Sequence, residues 1–166
     1  MENLHPLVVH FPIALLVTAL ALELAGLLWR SDGLRRVALW NQGLGTVGVL
    51  AAVITGRLAK AGAKHSPEIF QVMSRHEQVG YVVGWLTVAA LGWRLATTRR
   101  RTERRYGPLA SRRRAGPRDH WIGWGVLALL CGLLAFGAHL GGRLVYEYGV
   151  GGVYGRAHSG IEVVDQ

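Results

Sequence analysis

The stretch LHPLVVHFPIALLVTALALELAGLLW, residues 4–29, decides the fold. From Leu7 to Trp29 it carries a single charge, Glu23, over a length matching the ~20 residues that cross a bilayer's hydrocarbon as a helix. Three further apolar blocks follow, Val37–Ala59, Val79–Ala96 and Trp121–Leu140. The chain is 51% hydrophobic in 166 residues, and these residues are gathered into blocks instead of being spread as a water-soluble core requires. Glycine, 23 residues in all, lies largely within the blocks, as membrane helices tolerate. The expected fold is all-α: one integral membrane four-helix bundle over 1–166, with helices near 7–29, 37–59, 76–97 and 120–146. The first block has no Lys or Arg ahead of it and no small-x-small site after it, so it is not expected to be a cleaved signal peptide. Cys131, the single cysteine, is expected to serve as a small apolar filler.

Charge sets the expected orientation. The net charge is +9, and Arg94–Arg118 holds ten arginines against one acid, Glu103. Short basic loops stay on the cytoplasmic side, so the arginine-rich loop 98–118 is expected inside. Both termini, the loop Lys60–Arg75 and the glycine-rich tail 149–166 are then expected on the outer, periplasmic side of a bacterial inner membrane. The arginine run reads as a topological anchor that also attracts anionic lipid, and no nucleic-acid partner is expected, because no aromatic interleaving accompanies it. Arg57, Lys60, Lys64 and Arg75 run mildly against this charge rule.

In this orientation six of the seven histidines fall on the outer side: His5, His10, His65, His76, His139 and His158. His10, His76 and His139 belong to three different apolar blocks at about one depth, which makes them the principal candidates. SRHE at 74–77 reads as a capping box that fixes His76 in the first turn of helix 3. Pro6 suits a first turn, whereas Pro12 is expected to kink helix 1 and aim His10 inward. On helix 4, Gly125, Ala128, Gly132 and Ala135 share a face with His139; on helix 3, Gly80 and Gly84 follow His76. These small residues leave room for a flat ligand or simply allow close helix packing. His5, placed in the tail ahead of helix 1, is a weaker candidate, and Glu23 is expected to find a buried partner in Arg94, Asn41 or Gln42.

Ionisable groups in membrane helices mark functional sites, and imidazole is the commonest metal ligand. Two histidines on antiparallel helices can ligate b-type haem, here with His76 and His139 as the axial pair and His10 nearby. Arg75 and Arg143 would then face the propionates. A copper or zinc site of His10, His76 and His139, with His5 as a weaker ligand, competes with haem. In the plainest alternative these imidazoles bond only to backbone or water. No hydrolase triad, phosphate-binding loop or paired catalytic carboxylates occur, so a non-enzymatic role is expected. The candidates are electron transfer with a quinol or periplasmic redox protein, metal binding, or service as a subunit or assembly factor of a membrane complex.

Three motifs, LHPLVVHFPIALL, RHEQVGY and AHLGGRLVYEYGVGG, resemble the bacterial membrane-protein family catalogued as domain of unknown function 2231. The resemblance spans Leu4 to Gly152. It implies four transmembrane helices and shared histidines, carried here by His5, His10, His76 and His139, and it leans toward redox work. The chain lacks Cys-x-x-Cys-His, so any haem would be held non-covalently.

Overall fold

The first hairpin is made by three residues. α1 (His5–Leu28) ends where the Ser31 N–H reaches back to Gly26 O at 3.0 Å and Arg30 adopts a left-handed φ of 52°. Glycine usually takes that position after a helix, and the conformation costs another residue about 1–2 kcal/mol. The Ser31 hydroxyl then accepts the Leu34 N–H at 3.3 Å and caps α2 (Asp32–Ala61), whose first turn carries Asp32. A cap, not hydropathy, thus starts α2 five residues before Val37.

α3 (Pro67–Tyr106) and α4 (Pro117–Tyr146) both open on proline, which suits a first turn because its missing N–H would be unpaired there anyway. The computed structural model describes residues 5–61, 67–106 and 117–150, with side chains over 5–60, 67–98 and 121–150. α3 begins nine residues before the expected 76, so Ser74–Glu77 lies inside the helix and Ser74 is not its N-cap. Beyond the apolar block α3 continues to Tyr106, because Arg and Glu are good helix formers. The connection expected over 98–118 is correspondingly shorter.

The helices alternate in direction. Each packs against its neighbours in sequence, and α4 closes the ring against α1, with no close backbone approach across either diagonal among the described residues. The most extensive interface, α1 with α2, depends on glycines: a Cβ on Gly48 would stand 3.0 Å from Pro12 Cβ, and one on Gly45 would stand 2.8 Å from Leu16 Cγ. Pro12 lies within α1 and is buried at this contact.

The inward faces follow an alternating three- and four-residue spacing, the seam of a left-handed bundle. It runs through Pro12, Leu16, Ala19, Glu23 and Gly26 on α1, and through Val83, Thr87, Ala90 and Arg94 on α3. At mid-height Leu16, Val49 and Val83 form an apolar core with Val79, Cys131, Leu133 and Leu134 around them. Toward the end of the bundle that holds Glu23 and Arg94 the interior is polar, with Glu23, Gln42, Thr46, Thr87 and Arg94 all buried. The outer surface is the reverse, showing Leu7, Phe11, Trp40, Ile54, Trp85 and Phe136 among many large apolar side chains. Polar groups inside and apolar groups outside is the arrangement lipid imposes. All four helices are long and apolar enough to cross a membrane.

Because the Pro12 ring cannot yield, Gly48→Val is expected to lower the unfolding free energy by about 1–3 kcal/mol. Gly43→Val, where a Cβ meets nothing within 4 Å, is expected to change it little. Equilibrium unfolding in mixed detergent micelles measures both.

Candidate functional site

The starts of α1 and α3 and the ends of α2 and α4 meet at one end of the bundle, here called the histidine end. His5 is the first residue of α1, not part of a preceding tail. Its ring lies against α2 because Gly56 has no side chain; a Cβ there would be 3.0 Å from His5 Cε1. His5 Nδ1 is 3.1 Å from Thr55 Oγ1, and that hydroxyl directs its own hydrogen to Ala51 O (3.0 Å) or Ala52 O (3.1 Å). The Ala52 carbonyl also lies within hydrogen-bonding reach of the His5 ring.

His76 reaches inward from α3. Its Nδ1 donates to the Gly137 carbonyl of α4 at 3.0 Å, and its ring rests over Gly141, where a Cβ would lie 3.2 Å from Cε1. The two imidazoles meet across the α1–α3 diagonal with ring centroids 6.1 Å apart and planes at 79°. α2 and α4 wall the pair through Thr55, Gly56, Gly137 and Gly141.

The other expected site residues lie elsewhere. His10 is exposed and not aimed inward, and its Nδ1 donates to Pro6 O of its own helix at 2.6 Å. The reason is angular: the inward seam of α1 passes through Pro12, and His10, two residues away, points about 200° from it. His139 is exposed for the same reason, two residues beyond Gly137. Gly125 and Gly132, which share its face, have nothing within 4 Å of a Cβ, so that stripe looks outward. Gly80 and Gly84 serve packing, since a Cβ on either would stand 3.9 Å from Val53 Cγ2. Arg143 pairs with Glu147 at 2.8 and 3.0 Å, and Arg75 is exposed on a groove between α3 and α4 lined by Val79, Val82, Leu133 and Phe136. Glu77 is engaged by Lys60 and by the Tyr81 hydroxyl (3.0 Å), and Lys60 also stands 5.3 Å from the Phe70 ring centre. His65 and His158 lie outside the described residues.

One buried sulfur side chain escaped the sequence reading. Met73 is buried one turn before His76, a consequence of α3 beginning at Pro67. Among the described residues, no three His, Cys, Asp or Glu side chains gather as a metal cluster. The pairing of His5 with His76 had a signal in the sequence: His5 and Glu23 are 18 residues apart (23 − 5), and so are His76 and Arg94 (94 − 76). Eighteen residues are five full turns, so each histidine shares a face with a charge that needs burial.

That burial is observed at the opposite end. Arg94 donates through Nη2 to Glu23 Oε2 and through Nη1 to Gln42 Oε1 at 2.6 Å, and all three side chains are buried. Glu23 thus finds Arg94, one of its expected partners, and Gln42 joins the cluster through Arg94.

Four apolar helices of membrane-spanning length, with charged and polar side chains buried between them, define a multi-pass membrane protein. The chain belongs to the family described as predicted membrane protein (DUF2231), whose model matches residues 1–153. No curated protein and no solved structure matches it.

Removing one member of the buried ion pair leaves an uncompensated charge, so Arg94→Leu is expected to cost about 3–5 kcal/mol. The double change Glu23→Leu with Arg94→Leu should recover most of that loss. Detergent unfolding of the three variants against wild type checks both expectations.

Proposed function

We propose that this chain is a metal-binding membrane protein that holds a transition-metal ion at the histidine end, with His76 and His5 as imidazole ligands. The hydrogen bonding of the two rings carries this reading. His76 Nδ1 is committed to the Gly137 carbonyl, which leaves the lone pair of that neutral ring on Nε2, and the His5 ring is held against α2 by the Thr55 hydroxyl. Metal-binding histidines are held in this manner, with one nitrogen on an acceptor that fixes tautomer and orientation. Two imidazoles sharing an ion at ~2.0–2.1 Å per nitrogen have ring centroids about 5–6.5 Å apart, and the separation here is 6.1 Å.

Haem b ligated by His76 and His139 asks more of the bundle. His139 faces outward, and a porphyrin beside His5 and His76 would have to part α2 and α4 where a single Cβ on Gly56 or Gly141 already meets an imidazole. An ion needs no such opening, so copper or zinc takes precedence over haem.

The histidine end is assigned to the periplasmic side of a bacterial inner membrane, because the opposite end carries the arginine-rich segment. The pair Lys60–Glu77 offsets one of the basic residues that run against the rule, and Glu147 likewise offsets Arg143. The chain would hold the ion, or pass it or its electron to a periplasmic redox protein or membrane complex, instead of turning over a substrate.

Metal analysis of the detergent-purified chain after copper or zinc loading is expected to give one ion per chain. His76→Ala or His5→Ala should abolish it, and His10→Ala or His139→Ala should not. A Soret band acquired from added haem and lost with His139→Ala would restore the haem reading; neither metal nor haem bound would overturn both. Separately, an alkaline phosphatase fusion at the C-terminus is expected to be active, and a fusion between α3 and α4 inactive.

A further inference from the structure

We infer that Met73 completes the histidine end as a thioether ligand, so that the site selects the monovalent copper ion. This rests on the metal-binding reading above and adds to it a third donor and a preferred oxidation state.

Met73 is 8% exposed and lies on the inward seam of α3, where Met73, His76, Gly80, Val83, Thr87, Ala90 and Arg94 follow one another by alternating three and four residues. Residues three apart on a helix are surface neighbours, with Cβ atoms ~5–6 Å apart. Helical side chains lean toward the N-terminus, so the His76 ring reaches back over the turn that carries Met73. His76 and Met73 therefore lie one turn apart on the inward face of α3, the face whose imidazole meets His5 across the diagonal.

The composition makes this sulfur conspicuous. The chain has two methionines, Met1 and Met73, and fills its apolar interior with Leu, Val and Ala elsewhere. A flexible thioether is not its ordinary filler. The Glu77 carboxylate, next to His76 in sequence, is occupied by Lys60 and Tyr81. Two imidazoles and one thioether form a soft, low-coordination set with no carboxylate. Thioethers favour Cu+, whereas structural zinc closes a tetrahedral shell of four nitrogen, thiolate or carboxylate donors. The described residues supply no third donor of that harder kind.

The test titrates the detergent-purified full chain with Cu+ under anaerobic conditions against a chromophoric chelator, with Zn2+ titrated in parallel. Met73→Leu keeps the volume and apolar character of the side chain, and circular dichroism with gel filtration confirms that the variant stays folded. Met73→Leu should weaken Cu+ binding at least ~10-fold, the loss that even an outer-shell partner typically causes, and leave Zn2+ affinity unchanged. X-ray absorption at the copper edge should show one sulfur scatterer in wild type and none in the variant. Cu+ binding that requires His76 but is indifferent to Met73→Leu, with no sulfur scatterer, would overturn the inference and leave the metal-binding reading standing. Failure of wild type to bind any metal would end both.

Discussion

The ion pair between Arg94 and Glu23 governs the arrangement of this bundle. It joins α1 to α3, two helices whose backbones do not approach each other, through side chains long enough to cross the interior. In a medium that cannot solvate charge, each group requires the other, and the Gln42 carboxamide supports the guanidinium from α2. The pair fixes the rotation of both helices about their axes. Five turns away, that rotation brings His5 and His76 inward. The two contacts lie about 27 Å apart at 1.5 Å per residue, close to the ~30 Å thickness of a hydrocarbon core. One diagonal contact thus stands near each membrane boundary, and both join residues of α1 and α3 separated by 71 positions (76 − 5 and 94 − 23).

Between these contacts the protein has little hydrophobic core in the sense of a soluble domain. Leu16, Val49 and Val83 hold the centre, and glycines bring the backbones close enough for them to touch. The hydrophobic effect places the helices in the membrane, but lipid is as apolar as leucine and gives no preference for one apolar face over another. Selection among packings then falls to polar contacts and to small residues that permit close approach. Gly56 and Gly141 do both jobs at the histidine end, since each bounds the space that an imidazole fills.

The geometry at that end also shifts the weight between chemistries. A haem held by outward and inward histidines together would need the bundle to open, whereas an ion between two already anchored rings would not. The partners on α2 and α4 matter as much as the rings: the Gly137 carbonyl dictates the tautomer of His76, and the Thr55 hydroxyl holds the His5 ring against α2. All four helices therefore contribute to one small region, although only α1 and α3 carry its imidazoles.

The sequence by itself determined four membrane-length helices, the family, and the need of Glu23 for a partner near Arg94 or Gln42, because length, hydropathy and an isolated charge are properties of the chain alone. It misplaced helix starts where capping outweighs hydropathy: the Ser31 cap begins α2 early, and Pro67 begins α3 early and brings Met73 into the fold. Only the tertiary structure decided which histidines meet. In lipid both faces of a helix are apolar, and on α4 the stripe of Gly125, Gly132 and His139 reads as well as the one through Gly137 and Gly141. The difference is the rotation of each helix, which is set by partners on other helices. Hydropathy cannot encode it, and the buried charges 18 residues along the chain can.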